Sequence, residues 1–392
     1  MGREHRIGLV RQIEELRGSS VIAYATGDRP PVPTNIAEDA VRLLYEHLLA
    51  MEVDPERKTE KIDLFLYSRG GDVSVPWRII SMFREFCSHF SVLIPFRAHS
   101  AATMISLGAD EIVMGKKAEL SPIDPTLSRA TAQEGTVPPS QISVEDVSSY
   151  VSFMRERANI NDQASLAQVV SQLADHLTPL ALGQVNRQYS HIRLVARKLL
   201  MSHGERTDEE RIDAVIDALT EKLYSHGHAI GRTEAAELGL QVHKAAPDLE
   251  RLIWNLYQEY EDVLQLTNPI DAEELLISQG AEEHTEMNLS LAAIESTSKL
   301  DVYEVNAVFR RQRHTPPNPQ INLNVNLGLP PGTDLAQLPA NFQQVFQQLL
   351  QQVQQELPRL IQQELVRQSP IVGGFEIRIY GNRWKDKTER AA

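Results

Sequence analysis

Ser100 is the residue of this 392-residue sequence best suited to act as a nucleophile. It follows an apolar run with strand character, Ser91–Phe96, and precedes the small residues AATMISLG, which have helical character. Its hydroxyl is therefore expected at a helix N-terminus, where unpaired N–H groups and the helix dipole favour negative charge. Alternatively, Ser100 only caps that helix. His99 is a poor base for it, because adjacent side chains on a strand point to opposite faces.

A pair of glycines, Gly70 and Gly71, follows another predicted strand, Ile62–Tyr67, in the segment YSRGGDV. Paired glycines let the backbone turn sharply and present N–H groups without obstruction by a Cβ atom. Such groups can form an oxyanion hole, which stabilises the charge on a carbonyl oxygen during acyl transfer. The alternative is a purely structural turn between a strand and a helix.

A third segment, LSPIDPTL, holds Asp124 in a backbone restricted by Pro122 and Pro125. An aspartate before a proline is commonly just a turn residue. The sequence contains no GxSxG, HExxH, Walker A or GxGxxG pattern. Motif support for α/β-hydrolases, zinc peptidases and nucleotide-binding folds is therefore missing.

Alternating strands and helices over residues 1–245 must position these segments. The predicted elements are a helix over 5–17, strands at Ser20–Tyr24, Ile62–Tyr67, Ser91–Phe96 and Glu111–Met114, and helices capped by Asn35, over Val75–Phe86 and from Ser100. Residues 128–142 have the composition of a mobile loop, and helices are predicted at Val144–Arg157, Gln163–Leu177, Val185–Leu200 and Glu209–Leu223. This alternation is typical of a layered α/β domain.

Residues 246–314 are interpreted as an acidic helical connection. Between 248 and 287, Arg251 is the only lysine or arginine. A charge run of this kind usually forms a solvated face rather than a site.

Residues 315–392 have a different character, rich in glutamine. Strict apolar–polar alternation predicts strands at Ile321–Leu327 and Phe375–Tyr380. Between them, apolar residues recur at helical spacing over Phe342–Val366, and Pro358 is expected to kink that helix. We interpret this region as an extension for contacts within an oligomer or with a protein partner.

The overall composition limits the possible functions. The 53 acidic and 39 basic side chains give a net charge of −14, which argues against a general nucleic-acid binder. A single cysteine, Cys87, excludes an intrachain disulfide and a cysteine-based zinc site. The N-terminus lacks the apolar core of a signal peptide, and no uncharged apolar run reaches about 18 residues. We therefore expect a cytoplasmic protein without membrane contact, metal or cofactor.

Taken together, SRGGD, AHSAATMISLGADEIVMG and LSPIDP resemble the serine dehydrogenase proteinase family. This family belongs to the Clp-protease and crotonase superfamily, alongside the signal peptide peptidases of bacteria. The resemblance covers residues 20–245 and includes SHGHAIGRTEAAELGL, which is similar to the helix and turn that close the fold. It implies an α/β fold with a Clp-protease/crotonase-like layered βαβ core, to which helical additions and a C-terminal α+β extension are joined.

The resemblance also implies site residues. Ser100 falls on the nucleophile of the superfamily, and Gly71 and Ala101 fall on the residues whose N–H groups form the oxyanion hole. An extended peptide would lie against the backbone near SRGGD, where Gly70 and Asp72 are the expected substrate-binding residues. The implied reaction is attack on a peptide carbonyl to give an acyl-enzyme that water then hydrolyses.

The general base departs from the pattern of the family. Clp proteases place a histidine where this chain has Asp124, and their aspartate falls on Gly227. The lysine that serves as base in related archaeal membrane proteases is missing after the Pro138-Pro139 pair. We hypothesise that His226 is the base and that Asp124 orients it, since histidine suits proton transfer near neutral pH.

Two other residues stay open as bases. Lys198 and His191 lie seven residues apart on one predicted helix and therefore share a face. It also stays open that His226 is a surface histidine and Asp124 a turn residue.

Three functions are compatible with these residues. The first is a cytoplasmic serine peptidase that assembles as a homo-oligomer, as this superfamily usually does. The second is a catalytically silent oligomeric scaffold that binds a partner through 315–392. The third is acyl-CoA chemistry on the crotonase side of the superfamily, which is disfavoured because no acidic pair stands out at the matching turns.

Overall fold

The structure is a computed structural model that describes residues 2–51, 59–123, 126–127, 142–143, 150–176, 179–203, 208–222, 227–313 and 371–388, together with isolated residues between 348 and 369. Several predictions lie outside these residues: Asp124 and His226, the loop over 128–141, the strand Ile321–Leu327 and most of the helix over Phe342–Val366.

The described chain contains ten α-helices and thirteen strands. The helices are α1 (Arg3–Arg17), α2 (Asp39–Ala50), α3 (Val75–Phe86), α4 (Ala101–Leu107), α5 (Gln163–His176), α6 (Pro179–Leu200), α7 (Glu209–Asp217), α8 (Arg232–Glu237), α9 (Pro247–Val263) and α10 (Ala272–Ser278), with π-helical turns at Phe153–Arg157 and Ala218–Lys222. The strands are β1 (Ser20–Thr26), β2 (Thr59–Tyr67), β3 (Cys87–Ile94), β4 (Arg97–Ala98), β5 (Glu111–Met114), β6 (Glu119–Leu120), β7 (Thr126–Leu127), β8 (Ile142–Ser143), β9 (Ile230–Gly231), β10 (Val242–Lys244), β11 (Glu283–Glu295), β12 (Leu300–Arg313) and β13 (Ile371–Asp386).

The main sheet has eight strands in the order β10-β5-β3-β2-β1-β11-β12-β13. The first five are parallel, and β11 is antiparallel to β1. Parallel strands joined by helices are covered on both faces. The chain therefore has the expected α/β fold, with a layered βαβ core.

Alternation along β2 shows how both faces of the sheet are covered. Ile62, Leu64 and Leu66 belong to a core shared with α2, α3, α4, α6 and α7. Phe65 and Tyr67 belong to a second core shared with α1 and α9. Because side chains on a strand alternate between faces, a nearly continuous apolar run is what a doubly covered strand requires.

Two local predictions hold to the residue, and one is wrong. The helix Val75–Phe86 and the strand Glu111–Met114 have their predicted bounds. The helix predicted to be capped by Asn35 begins only at Asp39. The intervening Ile36 is extended instead, because its backbone pairs with the Gly70–Asp72 segment.

The acidic segment after residue 245 also differs from its prediction. Helix α9 is not a solvated connection, since Leu249, Ile253 and Tyr257 are buried in the core shared with α1. Apolar residues at helical spacing bury one face, whereas Asp248 and Asp262 are exposed. The rest of 246–314 includes two long strands, β11 and β12, rather than helix alone.

The chain divides into two compact units, and their boundaries differ from the expected divisions after 245 and 314. The first unit comprises Met1–Ile270, Asn288–Val305 and Gly381–Ala392. The second comprises Asp271–Met287 and Asn306–Tyr380. Within the second unit, the rings of Phe309 and Phe375 pack edge to face, with their centroids 6.2 Å apart. All site residues discussed below belong to the first unit.

Within the described residues, no helix combines the length and the hydropathy that a transmembrane span needs.

Candidate active site

Ser100 has an unusual backbone conformation at the start of α4. Its φ is 50° and its ψ is −114°, a combination that L-residues rarely adopt. The side chain is partly exposed, it does not cap the helix, and its hydroxyl makes no hydrogen bond to any residue that the structure describes. The capping interpretation of this serine is therefore wrong. A conformation of this kind costs about 1–3 kcal/mol, and such strained residues cluster at active sites.

Gly70 lies in direct contact with Ser100. Its φ is +110°, and a Cβ atom at this position would come within 2.7 Å of the Ser100 Cβ and 2.9 Å of the His99 carbonyl oxygen. Only glycine combines this backbone angle with so close an approach. The glycine pair is therefore more than a turn, because it brings the strand end of β2 against the start of α4.

The N–H group of Gly71 is left available by the way its neighbours are bonded. The Gly70 carbonyl accepts from the Ile36 N–H at 2.8 Å, and the Asp72 N–H donates to the Ile36 carbonyl at 2.9 Å. In a trans peptide the carbonyl of one residue and the N–H of the next point in opposite directions, so the Gly71 N–H points away from Ile36. Among the described residues, it has no acceptor.

The N–H group of Ala101 is the second available donor. As the first residue of α4, Ala101 has no carbonyl partner inside the helix, and no described residue accepts its N–H group. Ala101 is fully buried, so this donor lies in a poorly solvated position. Two unbonded backbone donors that flank a serine are the elements an oxyanion hole requires.

The substrate-binding residues expected near SRGGD are largely engaged by the chain itself. Gly70 donates its N–H to the Ser68 hydroxyl at 3.0 Å, and the Asp72 carboxylate accepts the N–H of Ser74 at 2.8 Å. Together with the two bonds to Ile36, these contacts fix the segment. What they leave for a substrate at this edge is the Gly71 N–H group and the exposed side of Asp72.

His99 lies next to the nucleophile but faces a different cluster. Its Nε2 atom is 3.3 Å from a Glu119 oxygen, without hydrogen-bond geometry. Burial lowers the pKa of His99 to about 4; nearby Arg69 and Arg97 act in the same direction, and Glu119 opposes them. A neutral imidazole at pH 7 is therefore expected here.

Around His99, an ionic network stiffens the same edge of the sheet. Asp28 accepts hydrogen bonds from Tyr67 at 2.9 Å, Arg69 at 2.7 Å and Arg97 at 3.1 Å. Burial alone would raise the pKa of Asp28, but these bonds and the two arginines hold it below its usual value. The network ties the end of β2 and the Ser68–Gly71 turn to β4.

A small three-stranded sheet gathers the segments that lead to the other proposed catalytic residues. Strand β4 pairs in parallel with β6, and β6 pairs in antiparallel with β9. Ser100 comes two residues after β4, Asp124 four residues after β6 and His226 four residues before β9. Because β9 runs in the opposite direction, all three segments leave the same end of this sheet.

A further contact joins the segments next to these two residues. The Ile123 N–H donates to the Leu219 carbonyl at 3.0 Å. Ile123 immediately precedes Asp124, and Leu219 lies seven residues before His226. His226 and Asp124 themselves lie outside the described residues, so their mutual geometry stays a prediction.

The reserve bases lie on the outer face of α6. His191 and Lys198 are both exposed, in agreement with the shared face that their seven-residue spacing predicted. The Lys198 ammonium group lies 5.4 Å from the centre of the Trp77 ring. This cation–π contact accounts for its position without a catalytic role.

Other reactive groups are distant from this chemistry or not arranged for it. Cys87 is buried, and its thiol donates to the Phe83 carbonyl. Within the described residues, no group of three or more His, Cys, Asp or Glu side chains could hold a metal ion.

Sequence reasoning passed over one residue of the site, Ser121. It is 2 % exposed, and its hydroxyl accepts the Ser100 N–H at 2.8 Å. The only signal in the sequence is its place at the start of SPIDP, directly after a strand.

Comparison with known proteins shows which family this region of the chain is similar to. Residues 3–137 match the family model of ClpP-like SDH-type serine proteinases. Two uncharacterised proteins of Methanocaldococcus jannaschii are 27 % and 25 % identical over 261 and 260 residues; each alignment covers 65 % of this chain, and 79 % and 76 % of the relatives.

Among solved structures, one similar chain is a mutant of a membrane-bound stomatin-specific protease. It is 15 % identical, with a TM-score of 0.35, and the alignment covers 56 % of this chain and 78 % of that one. A similarity this low carries no argument about substrate or activity.

The resemblance inferred from the motifs is nevertheless confirmed: the α/β region that holds Ser100 matches, over residues 3–137, the ClpP-like SDH-type serine proteinases.

Proposed function

We propose that the protein is a serine peptidase that hydrolyses peptide bonds through an acyl-enzyme on Ser100. The Ser100 oxygen attacks the peptide carbonyl carbon while its proton passes to a base. The tetrahedral intermediate collapses as the carbon–nitrogen bond breaks, and the base returns the proton to the departing amine. A water molecule then attacks the ester carbon while the base takes its proton. The bond to the Ser100 oxygen breaks, the serine regains a proton from the base, and the new carboxyl end of the peptide is released.

The observation that carries this proposal is the conformation of Ser100 between two unbonded N–H donors. Its hydroxyl makes no bond to a described residue, while the N–H groups of Gly71 and Ala101 have no described acceptor. Strain at the serine and unsatisfied donors beside it both cost stability, so a role in structure alone does not account for them. A carbonyl oxygen that gains negative charge is the partner that such donors lack.

His226 is proposed as the base and Asp124 as the residue that orients it. The supporting observation is the small sheet of β4, β6 and β9, because the chain segments that carry Ser100, Asp124 and His226 adjoin the same end of it. Four residues of extended chain span at most about 14 Å, a length that permits both side chains to reach Ser100 from this end of the sheet. Histidine is a suitable base because its unperturbed pKa, about 6.5, lies near neutral pH.

A fluorophosphonate probe tests this proposal. Wild-type protein is expected to become labelled at Ser100. His226→Ala is expected to slow labelling about 10²–10⁴-fold, and Asp124→Ala to slow it less. The matched control is His228→Ala, because that histidine is two residues away and pairs with Glu234 at 2.8 Å.

The outcomes separate the candidate functions. Unchanged labelling in both variants contradicts the proposed base and directs attention to Lys198 and His191. No labelling of folded wild-type protein contradicts the peptidase and favours the silent scaffold. Turnover of acyl-CoA thioesters by wild-type protein would instead support the crotonase-like alternative.

A cytoplasmic location, a homo-oligomer and a protein partner for residues 315–392 are also proposed. The resemblance supports the oligomer, since this superfamily usually assembles as rings or trimers.

Deleting 315–392 would remove β13 from the main sheet, so a cleaner variant replaces 315–368 with a short Gly–Ser linker. This linker can close, because the Arg313 side chain already bonds the Ser369 carbonyl at 2.8 Å. An unchanged molar mass in light scattering would show that the replaced segment does not drive assembly.

A further inference from the structure

Ser121 lies at the end of β6, and its buried hydroxyl is bonded on both sides. The oxygen accepts the Ser100 N–H at 2.8 Å, and the hydroxyl hydrogen is donated to the Pro122 carbonyl at 2.8 Å. With 2 % of its surface exposed, Ser121 cannot exchange these partners for water. Its single hydroxyl thus joins the backbone of Ser100 to the segment that continues toward Asp124.

Thr103 holds Ser121 in place from the first turn of α4. The Ser121 N–H donates to the Thr103 hydroxyl oxygen at 3.1 Å, and that hydroxyl donates to the Ala98 carbonyl at 2.7 Å. Thr103 is fully buried. The chain of bonds therefore runs from β4 through α4 to β6 and back to Ser100, and it encloses the residue whose backbone is strained.

We propose that Ser121 is a positioning residue for the nucleophile, an inference that rests on the proposed function of Ser100. The hydrogen bond from the Ser100 N–H to the Ser121 hydroxyl stabilises a backbone conformation of Ser100 that is otherwise unfavourable. Without this acceptor, the N–H group loses its partner in the protein, and rotation of the Ser100 backbone toward an allowed region relieves the strain. Such a rotation also turns the adjoining Ala101 N–H, so the hydroxyl and one oxyanion donor are displaced together.

Kinetics of fluorophosphonate labelling test the positioning role. In this reaction the Ser100 oxygen forms a bond to phosphorus, fluoride leaves, and the hydroxyl proton passes to the base. Ser121→Ala is expected to lower the limiting rate, kinact, about 10- to 100-fold, because small misplacements of a reacting group have effects of this size. The probe concentration at half-maximal rate, KI, is expected to change less than about twofold, since Ser121 does not touch the probe.

Ser106→Ala is the matched control. Like Ser121, Ser106 is a buried serine, but it lies within α4, where its hydroxyl donates to the Ala102 carbonyl at 2.9 Å. Both variants remove one buried hydroxyl, but only Ser121 bonds the nucleophile. Ser106→Ala is expected to keep kinact within about twofold of wild type at a similar loss of thermal stability. An equal fall of kinact in both variants, or no fall in Ser121→Ala, would overturn the inference.

Hydrogen exchange gives a readout that does not depend on activity. In Ser121→Ala, the amide of Ser100 is expected to exchange at least about tenfold faster, because its acceptor is gone. The amide of Ala102, which donates to the His99 carbonyl at 2.9 Å, is expected to keep its rate. If the wild-type protein is not labelled but the Ser100 amide still exchanges faster in Ser121→Ala, the peptidase is refuted and the positioning role is retained. Unchanged exchange at Ser100 would refute the positioning role.

Thr103→Val supplies a second variant should Ser121→Ala not fold. Valine has nearly the shape of threonine and removes only the hydroxyl that holds Ser121. A fall of kinact of about three- to tenfold is expected, since the acceptor for Ser100 is loosened rather than lost. A rate equal to that of wild type would contradict the proposed chain of bonds.

Discussion

Two serines of the first unit stand in opposite surroundings. Ser100 is strained, partly exposed and without a bond to its hydroxyl among the described residues. Ser296 lies in the turn between β11 and β12, is fully buried, and has a histidine and an aspartate in line beside it. By residue types alone, the second serine has the better claim to a catalytic triad.

The Ser296 cluster has triad-like contacts but none of the other requirements. His47 Nδ1 is 2.9 Å from the Ser296 hydroxyl, and His47 Nε2 is 3.1 Å from Asp301. The serine oxygen also accepts the Lys299 N–H at 3.2 Å, and the Lys299 ammonium group donates to Asp301 at 2.6 Å. Every polar group has a partner, and no carbonyl carbon can reach a fully buried oxygen. This cluster fastens the β11–β12 turn onto α2.

The comparison separates what makes a nucleophile from what makes a stable polar core. A saturated, buried network lowers the free energy of the folded state, since each buried polar group is paired. A catalytic serine instead needs access for the substrate and a proton acceptor nearby. It also needs N–H donors that stay unpaired in the resting protein until negative charge develops on the substrate. Missing partners around Ser100 are therefore more informative than existing partners around Ser296.

Removing each serine is the strongest test of this difference. Ser100→Ala is expected to abolish fluorophosphonate labelling, whereas Ser296→Ala is expected to leave the labelling rate within about twofold. Ser296→Ala is also expected to lower the free energy of unfolding by about 1–2 kcal/mol, because a buried hydroxyl bonded to His47 and to the Lys299 N–H is lost. Gel fluorescence and urea denaturation measure the two effects. Labelling that survives in Ser100→Ala would reverse the assignment.

Gly70→Ala is expected to have the next largest effect. The new Cβ atom would lie 2.7 Å from the Ser100 Cβ, at a φ of +110° that alanine disfavours. We expect labelling to fall more than about 100-fold, as the serine is pushed from its position. The control is Gly8→Ala in α1, where a Cβ atom meets nothing within 4 Å. That variant is expected to label normally, and equal losses in both variants would contradict a specific contact.

The identity of the base sets the pH dependence of labelling. His99 has a pKa lowered to about 4, mainly by burial, so as a base it would keep the rate constant from pH 8 to pH 5. A base with the unperturbed pKa of histidine is half protonated at about pH 6.5, and the labelling rate falls as the pH drops further. We expect the second profile, unaffected by His99→Gln. A rate that stays level down to pH 5 would exclude His226 with an ordinary pKa.

Patterns in the sequence were sufficient for the elements that position Ser100. Short apolar runs and the succession of strands and helices predicted β2, α3 and β5 closely, because these elements bury continuous apolar faces in one region of the chain. The segment order around Ser100 also predicted the fold. Helix α9 was misjudged because its charge was weighed above the spacing of Leu249, Ile253 and Tyr257.

Contacts between distant parts of the chain were beyond the sequence. Ile36 bonds to Gly70 and Asp72 across more than thirty residues, and that pairing is what leaves the Gly71 N–H available. Ser121 meets Ser100 only because β4 and β6 are neighbours in a sheet of two-residue strands. Strands so short have no periodicity to detect, so the Ser121 contact has no local signal.

The smallest expected effect concerns the acid stability of the Ser296 cluster. Burial opposes the charged form of Asp301, but bonds from His47 and Lys299 lower its pKa below the ordinary 3.8. The Asp301 carboxylate therefore binds a proton more readily in the unfolded chain than in the folded one. The stability that it contributes is present above about pH 4 and is lost as the pH falls further. Asp301→Asn is expected to cost about 1–2 kcal/mol at pH 7 and less at pH 3, with normal labelling at pH 7. Asp248→Asn on the surface of α9, where the side chain is 76 % exposed, is the control and should change stability by less than about 0.5 kcal/mol at either pH. A loss for Asp301→Asn that is the same at both pH values would mean that its charge does not stabilise the cluster.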